Sequence, residues 1–392
     1  MQLQMLIWLL YFSLIFLLFS SIILTHNRLY LKELPVKMAA DPDFTPFVSL
    51  CIPARNEEGN LQKLLPGILN QTYKNFEVLI LDDESTDKTP EIIDKYRQQA
   101  PSLIKKIEGK PKPSGWLGKT WACQQLSTTA NGSILIFVDA DTRLMPKFIS
   151  GIVNAFRIDR PDMLTVWALQ ITSSFPEKCV IPLVYFTLFT FLPTRYASKK
   201  PFFLPDFIYK KISPLFAAAN GQCVAFTKEA YHQIDGHKSV KDEVVEDVEL
   251  AKNIVRKGLK LKMYTGIQSI LCKMYNNHKD MVNGFRKNFY AGFKYNLPLF
   301  LSAAFLHLTV YILPFILAPY AFITGNIMLF QLSAAVITVL LLQRLIIALW
   351  QRSNPIYAFT HPLGVLWFQY LAFITLSDHH KNRQVYWKNR RI

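Results

Sequence analysis

The chain has 392 residues, 51% of them apolar and 18% charged, with 44 basic against 28 acidic side chains and a formal net charge of +16. The charge is segregated: residues 1–25, 297–343 and 355–377 hold no Asp, Glu, Lys or Arg, while the rest is about as charged as an ordinary soluble domain, roughly 25%. This excludes a wholly soluble protein, a disordered chain and a many-spanning transporter, and points to a soluble body held between membrane segments.

The first element is Leu3 to Leu24, nearly all Leu, Ile, Phe, Trp, Met and Ser. At about 1.5 Å rise per residue, a helix of that length crosses a hydrocarbon layer of roughly 30 Å. No basic residue precedes the run and no small-residue cleavage site follows it, so an uncleaved anchor is expected rather than a secretory signal. Arg28, Lys32 and Lys37 follow the anchor, which places the body on the cytoplasmic side of the cell membrane.

From Phe47 onward short apolar runs alternate with helical spacing. Strands are expected at Val48–Ile52, Phe76–Leu81, Leu103–Ile107 and Ile134–Val138. Helices are expected at Leu61–Asn70, Lys88–Gln99, Lys119–Thr129 and Val248–Lys257. That alternation implies an α/β fold with a mainly parallel, Rossmann-like sheet covered on both faces. In such sheets ligands bind beyond the carboxyl ends of the strands.

Val180–Leu192 is apolar but too short to span, and basic residues interleaved with Phe202, Phe203, Phe207 and Tyr209 follow it. This pattern suits a segment in the headgroup layer. The alternative is a buried core helix followed by a solvated basic loop. Further on, Thr324-Gly325-Asn326 divides a long apolar region into spans near 299–323 and 327–349. The segment 356–377 is expected to be re-entrant or interfacial rather than spanning, because crossing would carry the basic tail outside. The expected organisation is therefore an anchor over 1–25, a juxtamembrane linker over 26–46, a soluble α/β domain over 47–296 with an interfacial segment near 179–215, and a membrane region with a basic tail over 297–392. The net positive charge suits anionic lipid headgroups better than nucleic acid, since the basic residues gather beside the apolar segments. Cys51, Cys123, Cys179, Cys223 and Cys272 form no C-x-x-C pair and support neither a disulfide framework nor a zinc site.

Three strand candidates end in polar residues: Pro53-Ala54-Arg55-Asn56-Glu57, Asp82-Asp83-Glu84-Ser85-Thr86-Asp87 and Asp139-Ala140-Asp141. Carboxylates gathered on one sheet edge repel one another unless a cation or a donor-rich ligand is present. In an extended chain Asp139 and Asp141 point the same way, so both can reach one Mg²⁺ or Mn²⁺ ion that also takes phosphate oxygens. Taken alone the pair reads more readily as an Asx-rich turn or helix cap, but its place after an apolar strand, beside two other acidic strand ends, turns the balance towards a cation. Lys119, in a Gly-bounded loop that opens a helix, is a candidate phosphate donor or else a solvated lysine.

On these motifs, with Asn220-Gly221-Gln222 and Glu246-Asp247, the stretch Val48–Asn288 resembles the family 2 glycosyltransferases. Gly115-Trp116-Leu117-Gly118-Lys119-Thr120-Trp121-Ala122 and the ending Val385-Tyr386-Trp387-Lys388-Asn389-Arg390 are similar to members from carotenoid and hopanoid pathways. The resemblance implies a GT-A catalytic domain flanked by transmembrane helices and an inverting transfer of hexose from a nucleotide sugar, UDP-glucose first, to a membrane lipid. The expected acceptor is a carotenoid acid or related isoprenoid, with a glycerolipid, hopanoid or polyprenyl phosphate as the alternative.

The same resemblance implies that Pro53, Arg55, Glu57, Asp82, Asp83, Lys119, Asp139, Gly221 and Gln222 bind the nucleotide sugar. Asp139 and Asp141 would hold the divalent cation and Asp247 would be the general base, with Glu246, Trp116, Arg286 and Lys287 as further candidates. Where many processive relatives carry Q-x-x-R-W, this chain has Gly284-Phe285-Arg286-Lys287-Asn288, which argues against a polymer synthase. An inactive membrane-associated scaffold is the reading from another class. It has no need of Asp83, Asp139, Asp141 and Asp247 around one phosphate site.

Overall fold

The computed structural model describes residues 2–39, 41–381, 386–387 and 390–391. In chain order the elements are α1 (Gln2–Tyr30), β1 (Lys32–Glu33), β2 (Val48–Ala54), α2 (Glu58–Leu69), β3 (Phe76–Asp82), α3 (Thr89–Gln99), β4 (Ile104–Glu108), α4 (Gly118–Thr129), β5 (Ile134–Val138), β6 (Thr142–Leu144), α5 (Phe148–Asp159) and β7 (Met163–Gln170). They continue with α6 (Phe175–Phe191), α7 (Asp206–Ile212), β8 (Cys223–Thr227), α8 (Lys228–Gln233), α9 (Glu246–Arg256), β9 (Leu261–Cys272), α10 (His278–Phe289), α11 (Leu297–Tyr311), α12 (Leu313–Ile323), α13 (Ile327–Trp350), α14 (His361–His380), β10 (Tyr386–Trp387) and β11 (Arg390–Arg391). Most of the ending Val385–Arg390, and the basic residues Arg383 and Lys388, lie outside the described residues.

The main sheet has nine strands in the order β1-β9-β7-β8-β5-β2-β3-β4, with β6 on β9. Its ladders are parallel except where β8 runs against β5 and β7, and β6 against β9. Pro53 is accommodated in β2 because it lies past the last β5 pair, Cys51–Phe137, where a missing N–H is tolerated. Alternation along the strands divides the side chains between two cores. Leu50, Ile52, Val78 and Ile80 pack under α2, α3 and α5. Cys51, Leu79, Leu135 and Phe137 face the other way, and that core runs on into Leu10, Leu17 and Leu24 of α1 and Leu340 and Ile347 of α13. The catalytic body and the apolar helices therefore share one core. All five cysteines are buried and free.

Three helical segments among the described residues are long and apolar enough to cross a membrane: Leu3–Tyr30, Leu297–Ile323 and Ile327–Trp350. In α1 the buried residues Leu10, Ser13, Leu17, Ser20, Leu24 and Asn27 recur every three or four positions, the seam of a packed helix pair. Its outer face carries exposed Trp8, Ile15, Phe19 and Ile22. Small serines let α13 approach closely, and Gln343 Nε2 donates to Leu17 O at 2.8 Å, Ser20 Oγ at 2.9 Å and Ser21 Oγ at 2.8 Å.

Several expectations need correction. The helix of the anchor continues to Tyr30, and the expected linker supplies an edge strand, with Lys32 and Glu33 pairing in parallel with Tyr264 and Thr265. The segment 297–323 is broken at Ile312, where Pro314 lacks an N–H and its ring disfavours a continuous helix. The segment near 356–377 forms one unbroken helix, α14, rather than turning back, because Pro362 sits in its first turn, where proline is tolerated.

The apolar part of the expected interfacial segment is instead the buried helix α6, packed against α1 and α14. Asn27 caps its end, donating to Phe189 O at 3.0 Å and Leu192 O at 2.7 Å. A Cβ on Gly364 of α14 would lie 2.7 Å from Cys179 O, so the close α6–α14 crossing requires glycine there. The loop beyond α6 does expose apolar rings, Phe202 at 96%, Phe203 at 69% and Phe207 at 76%.

Candidate active site

The site is built on the carboxyl rim of the sheet, where β2, β3 and β5 end side by side. The loops after β2 and β3 are stitched together. Asp83 N–H donates to Ala54 O at 2.8 Å, Arg55 Nη1 to Asp83 O at 2.5 Å, Asn56 N–H to Ser85 Oγ at 2.9 Å and Glu57 N–H to Thr89 Oγ1 at 2.8 Å. Asn56 and Glu84 hold positive φ angles, 51° and 56°, in the tight turns this stitching requires. Asp82 and Asp83 are both buried, and Glu57 accepts from Asn60 Nδ2 at 2.8 Å. Arg55, Glu57, Asp82 and Asp83 thus form one wall of the rim.

The adjoining wall gathers three carboxyl groups around one lysine. Lys119 Nζ, from the first turn of α4, lies 2.8 Å from Asp139 Oδ1 and 2.9 Å from Glu246 Oε1. Asp247, beside Glu246 at the start of α9, accepts Gly221 N–H at 2.6 Å on Oδ2 and Val248 N–H at 2.8 Å on Oδ1. Gly221 bridges the group: a Cβ there would lie 2.9 Å from Lys119 Nζ, 3.5 Å from Asp247 Oδ2 and 3.7 Å from Asp139 Oδ2. Any side chain at 221 would push the ammonium off its two carboxylates. Pro53, Lys119, Asp139, Gly221, Glu246 and Asp247 share a small void of about 10 Å³, room for about one water. Anything larger than a water must therefore lie on the open rim above it.

The electrostatics separate the two acids of α9. Burial opposes ionisation of Glu246, but Lys119, with help from Lys287 of α10, outweighs it and holds that carboxyl below its ordinary range. Burial, then the Glu246 charge, pushes Asp247 up to about 7, against the pull of Lys119. Lys119 is held charged by Asp139 and Glu246 despite its desolvation. Lys287 is lowered, first by burial and then by repulsion from Lys119.

Other candidates lie elsewhere. Arg286 turns away from the rim and pairs with Asp378 of α14, because adjacent residues on a helix point about 100° apart. Trp116 packs edge-on against Trp121 in the loop before α4, with ring centroids 5.0 Å apart. Gln222 faces the opposite side of its loop from Gly221, and its Oε1 accepts from Gln170 Nε2 at 2.8 Å. Gln170 carries no motif and went unnoticed in the sequence, as did His237, which lines the small void, hydrogen-bonds Tyr231 at 2.8 Å and is lowered by burial to about 3.

Asp139 and Asp141 do not continue an extended chain. A turn intervenes, with Thr142 N–H donating to Asp139 O at 3.2 Å. Asp139 reaches Lys119, whereas Asp141 accepts from the Cys272 thiol and lies by Arg143, although both carboxylates act electrostatically on Cys272. Carboxylate oxygens are the ligands a hard divalent ion takes, but the turn sends Asp139 and Asp141 to different neighbours, and among the described residues no group of three or more His, Cys, Asp or Glu is placed to hold a metal ion. Mg²⁺-type ions bind with one or two carboxylates, phosphate and retained water.

Comparison with known proteins agrees with this geometry. Residues 49–205 match the family described as Glycosyl transferase family 2, and that stretch is a glycosyltransferase domain. The chain is 26% identical over 272 residues to the 4,4'-diaponeurosporenoate glycosyltransferase of Staphylococcus haemolyticus, a match covering 69% of this chain and 67% of the relative. It is 25% identical over 269 residues to the Staphylococcus aureus enzyme of the same name, covering 67% of this chain and 65% of that one. The match thus spans about two thirds of these relatives' length. A mannosyltransferase from Pyrobaculum calidifontis, solved with GDP-Man and Mn²⁺, shares the fold with a TM-score of 0.52 at 17% identity, over 92% of this chain and 99% of its own. The catalytic fold is GT-A.

Proposed function

We propose that this chain, whose residues 49–205 form a family 2 glycosyltransferase domain, transfers a hexose with inversion from a nucleotide sugar to a lipid held in the membrane. UDP-glucose is the proposed donor, and a carotenoid acid or related isoprenoid the proposed acceptor. The observation that carries this reading is the Lys119–Asp139–Glu246–Asp247 cluster, set on the sheet rim of a body that shares its core with membrane-length helices. Arg28 in the last turn of α1, with Lys32 and Lys37 beyond it, supports a multi-pass protein whose rim faces the cytosol.

Cleaving the sugar–phosphate bond leaves charge on the nucleoside diphosphate. Lys119 is fixed and ionised next to Asp139, so it donates to that charge as it develops without reorganising. Asp139 and Asp141 would hold a divalent ion, which supplies Lewis-acid stabilisation of the leaving diphosphate when bound. The stitched loops after β2 and β3, with Pro53, Glu57 and Asp83, form the nucleoside wall.

Asp247 is oriented by Gly221 N–H, and its carboxyl titrates near 7, the range that suits a base taking a proton from a hydroxyl acceptor. A carboxylic acid acceptor, with a solution pKa of about 4, arrives ionised, and Asp247 then positions it instead. The test is Mn²⁺-dependent turnover of UDP-glucose by the purified protein, followed by mass analysis of lipids from a pigmented host with and without it. A hexose increment on a carotenoid supports the reading, and no turnover with any nucleotide sugar overturns it.

A further inference from the structure

A second cavity, of about 360 Å³, lies between the end of β7, the first half of α6 and the end of α13. It is largely apolar, yet its wall carries three cations, Lys178, Arg344 and Arg352, and no Asp or Glu. Arg344 belongs to an apolar, membrane-length helix and is only 3% exposed. Its guanidinium has two carbonyl partners, Pro182 O at 3.2 Å and Tyr357 O at 3.5 Å, and its Nε is buried with no hydrogen-bond partner. Gln351, 6% exposed on the same wall, likewise leaves its Nε2 unpartnered.

Charged groups within apolar helices are costly, and they persist where they pair or serve a ligand. Here the guanidinium has two carbonyls and the face of the Phe186 ring, 5.7 Å from its centroid, but no carboxylate among the described residues, and its own Nε and Gln351 Nε2 are unfilled. An anion in the cavity would complete it. The position favours an amphiphile: the cavity lies at the end of α13 where Arg28 sits over the Trp350 ring, 5.2 Å from its centroid, the arrangement of a headgroup-level belt. It also borders the active site, since Gln170 lines the cavity and donates to Gln222 Oε1, next to the Gly221 that holds Asp247.

We propose that this cavity seats the anionic head, carboxylate or phosphate, of the membrane amphiphile that accepts the sugar, with buried Arg344 inside and Lys178 and Arg352 towards its opening. This rests on the lipid-acceptor reading above. The apolar wall takes the adjoining chain, and Arg344 supplies the charge that distinguishes an anionic amphiphile from its alcohol.

The test uses the full chain in phosphatidylcholine nanodiscs, with oleate as probe and oleyl alcohol as the uncharged control. Oleate binds saturably, Arg344→Gln weakens it about tenfold or more, the loss typical of a charge-assisted hydrogen bond, and Arg344→Lys restores part of it. Oleyl alcohol binds all three alike. If Arg344→Gln does not fold, the Lys178→Gln/Arg352→Gln double variant carries the test, with weaker oleate binding and unchanged donor KM. Equal oleate affinity in every variant overturns the proposal. So does displacement of oleate by phosphatidylglycerol without any rise in acceptor KM, which would assign the cavity to a bilayer phospholipid. UDP-glucose hydrolysis without acceptor, measured in parallel, keeps the two readings separable: its absence in the parent protein defeats the catalytic reading, whatever oleate does.

Discussion

The two polar regions differ in how their charge is balanced. On the sheet rim, Lys119 is matched by two carboxylates within 3 Å, so the site holds its charges with no ligand present. In the second cavity, Arg344 meets two carbonyls and the Phe186 ring but no carboxylate among the described residues. On the mechanism proposed here the first arrangement lowers a reaction barrier with groups already in place, and on the proposal for the cavity the second holds an imbalance that an incoming anion relieves. Loss of a rim residue should therefore slow chemistry, whereas loss of a cavity cation should change which acceptors bind.

The sharpest way to break this comparison is at Asp247. Asp247→Asn is expected to lower kcat for a hydroxyl acceptor by at least about 10², the usual contribution of a general base, and to harm a carboxylate acceptor less. Equal losses with both acceptor types, measured by initial rates, would remove its role as base. Next is Lys119→Met, which leaves Asp139 and Glu246 facing each other without their cation and removes the preorganised donor. A kcat loss on the order of 10², with acceptor KM little changed, is expected. Gly221→Ala, which displaces the ammonium rather than deleting it, is expected to cost about tenfold or more in kcat at unchanged Tm, because small misplacements of catalytic groups are expensive.

The pH dependence is gentler. Transfer to a hydroxyl acceptor should rise with pH through about 7 as Asp247 ionises, while transfer to a carboxylate acceptor stays flatter. For stability the sign is opposite: the Asp247 carboxyl titrates above its unfolded value, so its burial costs nothing below about pH 4 and increasingly destabilises the fold as pH rises towards 7. Thermal melts of Asp247→Asn against the parent at pH 5 and 8 check this, with the variant gaining relative to the parent at pH 8. Smallest for catalysis is Arg286→Gln, which strips the partner from buried Asp378. It should lower Tm yet leave kcat of the folded fraction unchanged, unlike its neighbour Lys287→Gln.

Much of the rim was legible because its signals are local. An apolar strand ending in acids places those acids on a sheet edge, and Asp82, Asp83, Asp139 and the β-α alternation follow from that rule. What escaped was set by tertiary contact. The sequence could not choose between Arg286 and Lys287, since only helix packing decides which of two neighbours faces the rim. The apolar run 180–192 has the length of an interfacial segment, and it is a core helix because α1 and α14 cover it. Arg344 sits in the sequence near the end of a span, where a side chain ordinarily reaches for water, and only the folded bundle shows it turned inward. Asp139 and Asp141 were expected on one extended strand, and the turn between them sends them to different neighbours.

The short first strand carries a consequence of its own. Lys32 and Glu33 pair with Tyr264 and Thr265, and Leu34 N–H adds a bond to Thr265 O at 2.9 Å, so the first helix is riveted to the sheet within a few residues of leaving the bilayer. A tether with slack would let the enzyme tumble and sample every height above the lipid. This one fixes the angle between the first apolar helix and the sheet, so wherever that helix is anchored the rim is carried at a set bearing to it.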